Sequence, residues 1–241
     1  MNNFCSLIAV GLLVNSGTLS AIEPEVKPDP SDDVSVPDSN ASAMIGTYVG
    51  DFGKRKITVS LDRVIGKTVS GYSIVAGNER AFSGSWEATA TGFKILAKEP
   101  GDDPADGVFM IDFIAKPKAI SGRWTANDKK IGSREFTLPA RVFKYNAKAG
   151  KYPQSSSQVL KETDVENLKP ADLRVMRNEI YARHGYSFKL TDMREYFDKL
   201  DWYMPVAVDV TTKLTVREKE NAALIKRYEK YTEEYYDGFG R

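Results

Sequence analysis

Ile57-Thr58-Val59-Ser60-Leu61-Asp62 alternates apolar and polar side chains at every step. A period of two puts successive side chains on opposite faces of a strand, one toward a core and one toward water. The same reading extends outward. Phe109, Ile111 and Phe113 alternate with Met110, Asp112 and Ile114, and Phe136, Leu138, Ala140 and Val142 alternate with Glu135, Thr137, Pro139 and Arg141. Turn signals separate the runs: Gly77-Asn78, Thr91-Gly92, residues 100–107, Pro117 and Asn127-Asp128. About eight strands are expected over residues 44–145, as an antiparallel meander closing into a small barrel or a curled sheet.

A short repeat runs through this region. Val69-Ser70-Gly71-Tyr72, Phe82-Ser83-Gly84-Ser85-Trp86 and Ile120-Ser121-Gly122-Arg123-Trp124 each place an aromatic residue just after apolar-Ser-Gly. Glycine in a strand permits a sharp bend or a close backbone approach, so these positions are expected at barrel corners. In topology the region resembles small calycin-like or lipocalin-like domains of exported bacterial proteins. With about 100 residues the strands are short, and side chains are expected to fill the interior.

Upstream, residues 4–14 are apolar except for Ser6. The run is too short to span a bilayer but has the length of the apolar part of a signal peptide. Cleavage is expected after Ala21, leaving a periplasmic or secreted chain beginning at Ile22 with no stable membrane span. The only cysteine, Cys5, lies in the leader, so the mature chain has no thiol chemistry. Residues 22–43 carry four prolines, six acids and one lysine, and are expected to form an extended, disordered tether. Net charge is +1, which gives no overall field favouring nucleic acid.

Downstream, residues 146–157 read as a polar linker, with few contacts expected across it, and residues 158–241 as a small all-α domain. The fold class is thus α+β in two domains. Thr163-Asp164-Val165-Glu166 and Thr215-Val216-Arg217-Glu218 match capping boxes. Pro170 suits the first turn of a helix, with Leu173, Met176 and Ile180 at helical spacing. Gly185 is the expected stop of that helix, and Thr191 is placed to cap the next.

Met176-Arg177-Asn178-Glu179-Ile180-Tyr181-Ala182-Arg183-His184-Gly185-Tyr186 resembles the YARHG family, named for the letters of residues 181–185. Phe188, Tyr196-Phe197, Trp202-Tyr203 before Pro205, and Glu220-Asn221 follow in the family's order, and the likeness spans about residues 159–235. The resemblance implies an extracytoplasmic bacterial domain, often joined to other envelope modules, with no established catalytic activity. It does not cover the β-region.

Two roles are open for the motif. As structure, Asn178, Gly185, Trp202 and Tyr203 lock the turn after the helix, with Asn178 and Arg177 bonding the following loop. As a site, Arg177, Tyr181, Arg183 and His184 form a polar pocket for a carboxylate or a sugar, with the Arg183 guanidinium reaching solvent. Catalysis has little basis. His184 is the only histidine, and neither a two-histidine metal motif, a nucleophile elbow nor a phosphate loop is present. Asp102, Asp103 and Asp106 read as solvated loop residues or a weak Ca²⁺ site rather than as the paired carboxylates of a glycosidase. No metal and no cofactor are expected. The leading expectation is a non-catalytic module that binds a cell-wall component or another envelope protein. The alternatives are a carrier holding a small apolar ligand in the barrel, and a hydrolase using His184.

Overall fold

The computed structural model describes residues 40–235. The expected leader and most of the expected tether lie outside the described residues. Eight strands follow one another: β1 (Gly46–Phe52), β2 (Arg55–Ile65), β3 (Thr68–Val75), β4 (Asn78–Ala88), β5 (Gly92–Lys98), β6 (Gly107–Ile114), β7 (Ala119–Ala126) and β8 (Ser133–Pro139). Each pairs antiparallel with the next, in the order β1 to β8. The last meets the first where Tyr48 bridges Ala140 and the Arg141 amide donates to the Thr47 carbonyl at 2.8 Å. The sheet is a nearly closed barrel.

Its interior is filled. Trp86, Phe82, Phe109, Phe136 and Trp124 pack with Ile57, Val59, Leu61, Ile95 and Ile111 in one buried cluster. Phe82–Phe109 and Phe52–Trp124 ring centroids lie 5.4 and 5.9 Å apart. The apolar-Ser-Gly repeat marks the close approaches. A Cβ on Gly71, Gly84 or Gly122 would fall within 1.8–2.0 Å of the Ser60, Leu96 or Met110 carbonyl oxygen, so only glycine fits there. The barrel begins earlier than the sequence suggests. Residues Ala41–Met44 form a 3-10 turn whose Ala41 and Met44 are fully buried, and the Tyr48 hydroxyl donates to the Met44 carbonyl at 2.6 Å.

Four α-helices follow: α1 (Gln154–Ser157), α2 (Pro170–Arg183), α3 (Thr191–Phe197) and α4 (Val216–Tyr235). Among the described residues no helix is long and apolar enough to cross a membrane. The Thr215 capping box opens α4: the Glu218 amide donates to Thr215 Oγ1 at 3.2 Å, and the Thr215 amide to Glu218 Oε2 at 3.0 Å. The other expected box does not open a helix. Thr163 lies inside a single 3-10 turn, Glu162–Asp164, where the Lys161 amide donates to the Asp164 carboxylate. Thr191 is the first residue of α3 rather than its cap.

Two expectations are corrected. The 146–157 segment is not a free linker. Tyr152, Ser155 and Ser156 are buried, because their backbone and hydroxyls meet buried polar groups of α2. Nor are contacts between barrel and helices few: the described residues, 40–235, fall in one compact unit. The Lys56 ammonium donates to the Leu200 and Tyr203 carbonyls at 3.2 and 3.3 Å, and the Lys56 amide to Asp198 at 3.1 Å. Thr58 Oγ1 donates to the Pro205 carbonyl, and the Gly77 amide to Ser187 Oγ at 2.9 Å. Thr58, placed by its period on the water face of β2, is therefore buried; Ser60, on the same face, is buried too and donates to Asp62 Oδ1 at 2.6 Å. A polar residue tolerates burial where the covering chain satisfies its hydrogen bonds.

Candidate functional site

The C-terminal end of α2 gives each letter of the Tyr-Ala-Arg-His-Gly motif a physical task. Gly185 adopts φ +81°, and a Cβ there would lie 2.5 Å from Val206 Cγ2. Its amide donates to the Ala182 carbonyl at 2.9 Å, and the Tyr186 amide to the Tyr181 carbonyl at 3.1 Å. This pair of bonds is a Schellman cap, which usually carries an apolar contact between the residues at its two ends. Tyr181 and Tyr186 supply that contact, edge to face at 6.3 Å. Ala182, 1% exposed, packs among Phe188, Met193, Phe197 and Tyr203.

Arg183 is buried, not exposed: its side chain has no solvent access. All five guanidinium N–H groups are satisfied. Nε donates to the Ala149 carbonyl at 2.7 Å. Nη1 donates to Ser155 Oγ and Ser156 Oγ at 2.8 and 2.9 Å. Nη2 donates to the Tyr152 carbonyl and Glu179 Oε2, both at 2.8 Å. Glu179, equally buried, lies one helical turn before Arg183 and also accepts the Lys151 and Tyr152 amides at 2.6 and 2.8 Å. A buried ion pair persists only when its remaining donors and acceptors are met, and here the 149–156 segment meets them. Solvent is out of reach because that segment covers the guanidinium.

His184 faces a second buried carboxylate. Its Nε2 lies 2.8 Å from Glu218 Oε2, and its ring stacks on Tyr145 at 4.6 Å. The Tyr145 hydroxyl donates to Glu218 Oε1 at 3.0 Å. Burial by itself would raise the Glu218 pKa. The bonds from the Thr215 amide and His184 outweigh it and hold the carboxyl below the usual range. A depressed acid contributes stability above its unfolded pKa, near 4.3, and loses it as pH falls through the folded value. His184→Ala is therefore expected to cost about 1–3 kcal/mol at neutral pH. The wild-type advantage should shrink on acidification below the usual carboxylate range, as read by urea denaturation across pH. A silent substitution at pH 7 would contradict this account of His184.

The motif residues thus separate into two groups. Arg183 and His184 are enclosed, whereas Arg177 and Tyr181 line a cleft of about 560 Å³ with Tyr186, Phe188, Lys189 and Leu190. They do not form one pocket, because Arg183 and His184 turn toward the 149–156 segment and α4. Arg177 and Asn178 do not bond the following loop as expected. Arg177 Nε pairs with Glu229 at 2.7 Å, and Asn178 Nδ2 donates to the Arg174 carbonyl of its own helix at 2.8 Å. Arg174 pairs with Asp192 at 2.8 Å. Lys189, on the cleft wall, makes no salt bridge among the described residues. Tyr203, 1% exposed, holds the loop instead, its hydroxyl donating to the Tyr186 carbonyl at 2.6 Å. Trp202 is only partly buried beside it.

Glu179 and Tyr145 are structural partners that the sequence reading did not single out, and it took Glu218 only as a capping acid and Asn221 only as part of the family's order. Asn221, 1% exposed, donates to the Ser155 and Gln158 carbonyls and accepts the Leu160 amide at 2.9 Å. Asp106, expected as a solvated loop residue, pairs with Arg80 at 2.8 Å. Among the described residues no cluster of His, Cys, Asp and Glu is arranged to hold a metal ion.

No curated protein and no solved structure matches the chain. A family model matches residues 149–230, beginning at the residue whose carbonyl Arg183 Nε grips. The region so built around the Arg183 and His184 networks is a YARHG domain.

Proposed function

We propose that the chain is an exported bacterial envelope protein that acts by binding, not by catalysis, and that the cleft beside α2 takes a wall component carrying sugar and carboxylate groups. The observation that carries this reading is the cleft's chemistry. Tyr181 and Tyr186, both half-buried, offer ring surface over the buried Phe188, and Lys189 stands on the wall with its charge unpaired among the described residues. Tyrosine rings combine an apolar body with a polar tip, which suits the mixed faces of a sugar.

His184 supports the non-catalytic reading. Its ring is stacked under Tyr145 and its Nε2 is bonded to the buried Glu218, so that nitrogen is committed to structure. The aromatic filling of the barrel weighs against a carrier of an apolar ligand.

The test is co-sedimentation of the mature chain with purified cell-wall sacculi. The wild type is expected in the pellet. Lys189→Glu, at an exposed position, should keep the fold and weaken retention by about tenfold, the equivalent of about 1.4 kcal/mol. Wild-type protein left in the supernatant, or a variant that sediments equally well, would count against the proposal.

A further inference from the structure

The outer face of the barrel carries a second concavity, of about 980 Å³, running over β4 to β8 and reaching β1. Its floor is set by register. Leu96 pairs with Met110, Met110 with Arg123, and Arg123 with Glu135. Leu96 and Met110 are 53% and 50% exposed, two large apolar side chains held next to each other on a surface. The close backbone approach at Gly122, which lines the concavity, lets the strands bend there.

The charges around this floor are unbalanced. Asp51, Glu87, Asp112 and Glu135 face two cations, Lys94 and Arg123. Lys94 pairs with Asp112 at 3.7 Å and Arg123 with Glu135 at 2.6 Å. Glu87 and Asp51 make no salt bridge among the described residues, and they stand at opposite ends of the groove, on β4 and β1. The barrel region as a whole has the opposite sign: residues 44–145, groove included, hold 16 basic and 11 acidic side chains. A groove of local negative charge on a basic domain selects for cations at that one place.

We propose that this groove binds an extended cationic amphipathic peptide segment, with aliphatic side chains on Leu96 and Met110 and Lys or Arg side chains toward Glu87 and Asp51. Strands lie about 4.8 Å apart, so the three spacings from β5 to β8, which carry Leu96, Met110, Arg123 and Glu135, measure roughly 14 Å, and an extended chain rising about 3.3 Å per residue crosses them with roughly four residues. Its side chains alternate, so the aliphatic ones face the floor together. Methionine adapts its shape to varied partners, which suits recognition by charge and apolarity rather than by one sequence.

The probe is a fluorescent, terminally blocked peptide alternating Lys and Leu, titrated by anisotropy into the mature chain. Saturable binding is expected, weakening as salt rises. Glu87→Lys and Met110→Ser should each weaken it about tenfold without changing the melting temperature, and the matching Glu-Leu peptide should not bind. Absence of saturable binding, equal binding of the Glu-Leu peptide, or unchanged binding by both variants would overturn the proposal. So would sedimentation showing a dimer that Met110→Ser dissociates, which would assign the groove to a second copy of the chain. The cleft beside α2 is untouched by either variant, so sacculus retention reports separately on the proposed function.

Discussion

Arg183→Ala is expected to destabilise the protein by about 3–5 kcal/mol, the usual cost of breaking a buried ion pair by removing one partner. The loss has three sources. Glu179, with no solvent access, is left with a charge and no cation. The Ala149 and Tyr152 carbonyls and the Ser155 and Ser156 hydroxyls lose donors in a buried setting. The volume of the side chain becomes a cavity. Arg183→Lys should recover little, because three donors at one point cannot reproduce five in a planar fork. Urea denaturation followed by circular dichroism measures both. A loss below about 1 kcal/mol for Arg183→Ala, the range of exposed ion pairs, would return the guanidinium to solvent and to a binding role.

Tyr203→Ala is expected to cost about 3–5 kcal/mol through lost packing. Its ring meets Phe197 at 5.5 Å and Phe188 at 6.0 Å. The Lys56 ammonium of the barrel sits 5.6 Å from its ring centroid, so the damage should reach the seam between the barrel and the helices. Tyr203→Phe isolates the hydroxyl bond to the Tyr186 carbonyl, and about 1–3 kcal/mol is expected for leaving that acceptor short. Trp202→Ala should cost less than Tyr203→Ala, because Trp202 is only partly buried. Compared by denaturation, Tyr203→Ala should be the costliest of the three variants. Trp202→Ala as the costlier change would contradict the placement of Tyr203 as the anchor.

The barrel was legible because its signal is local. Alternation in β2, β6 and β8 names the inward residues, and the apolar-Ser-Gly repeat names three close approaches that a Cβ would block. What alternation cannot show is a second layer. The outer face of β2 reads as solvated from its Thr and Ser, yet Pro205 and its neighbours cover it, a contact 147 residues away in sequence. The 146–157 segment misled for a related reason. Its polar composition looks like a linker, but its amides, carbonyls and hydroxyls are the partners of Arg183 and Glu179.

The candidate site was half legible. Arg177 and Tyr181 do line a cleft, and Gly185 does end the helix. Arg183 was misplaced because its offset from the Leu173–Ile180 stripe suggested exposure. The missed signal was Glu179, at the i−4 position where an acid pairs with a following arginine. Such a pair alone fits either a solvated face or a buried one. Only the 149–156 chain lying over it decides, and that is tertiary information.

The central claim is that the arginine and histidine of the motif are a buried lock, with the 149–156 segment as its other half. Amide hydrogen exchange at Lys151 and Tyr152 tests this most directly, since both amides donate to Glu179. In the wild type these amides should be protected as strongly as the middle of α2. In Arg183→Ala they should exchange far faster, while Leu96 and Met110 amides in the barrel keep their protection. Rapid exchange of Lys151 and Tyr152 in the wild type would show an open segment and contradict the account.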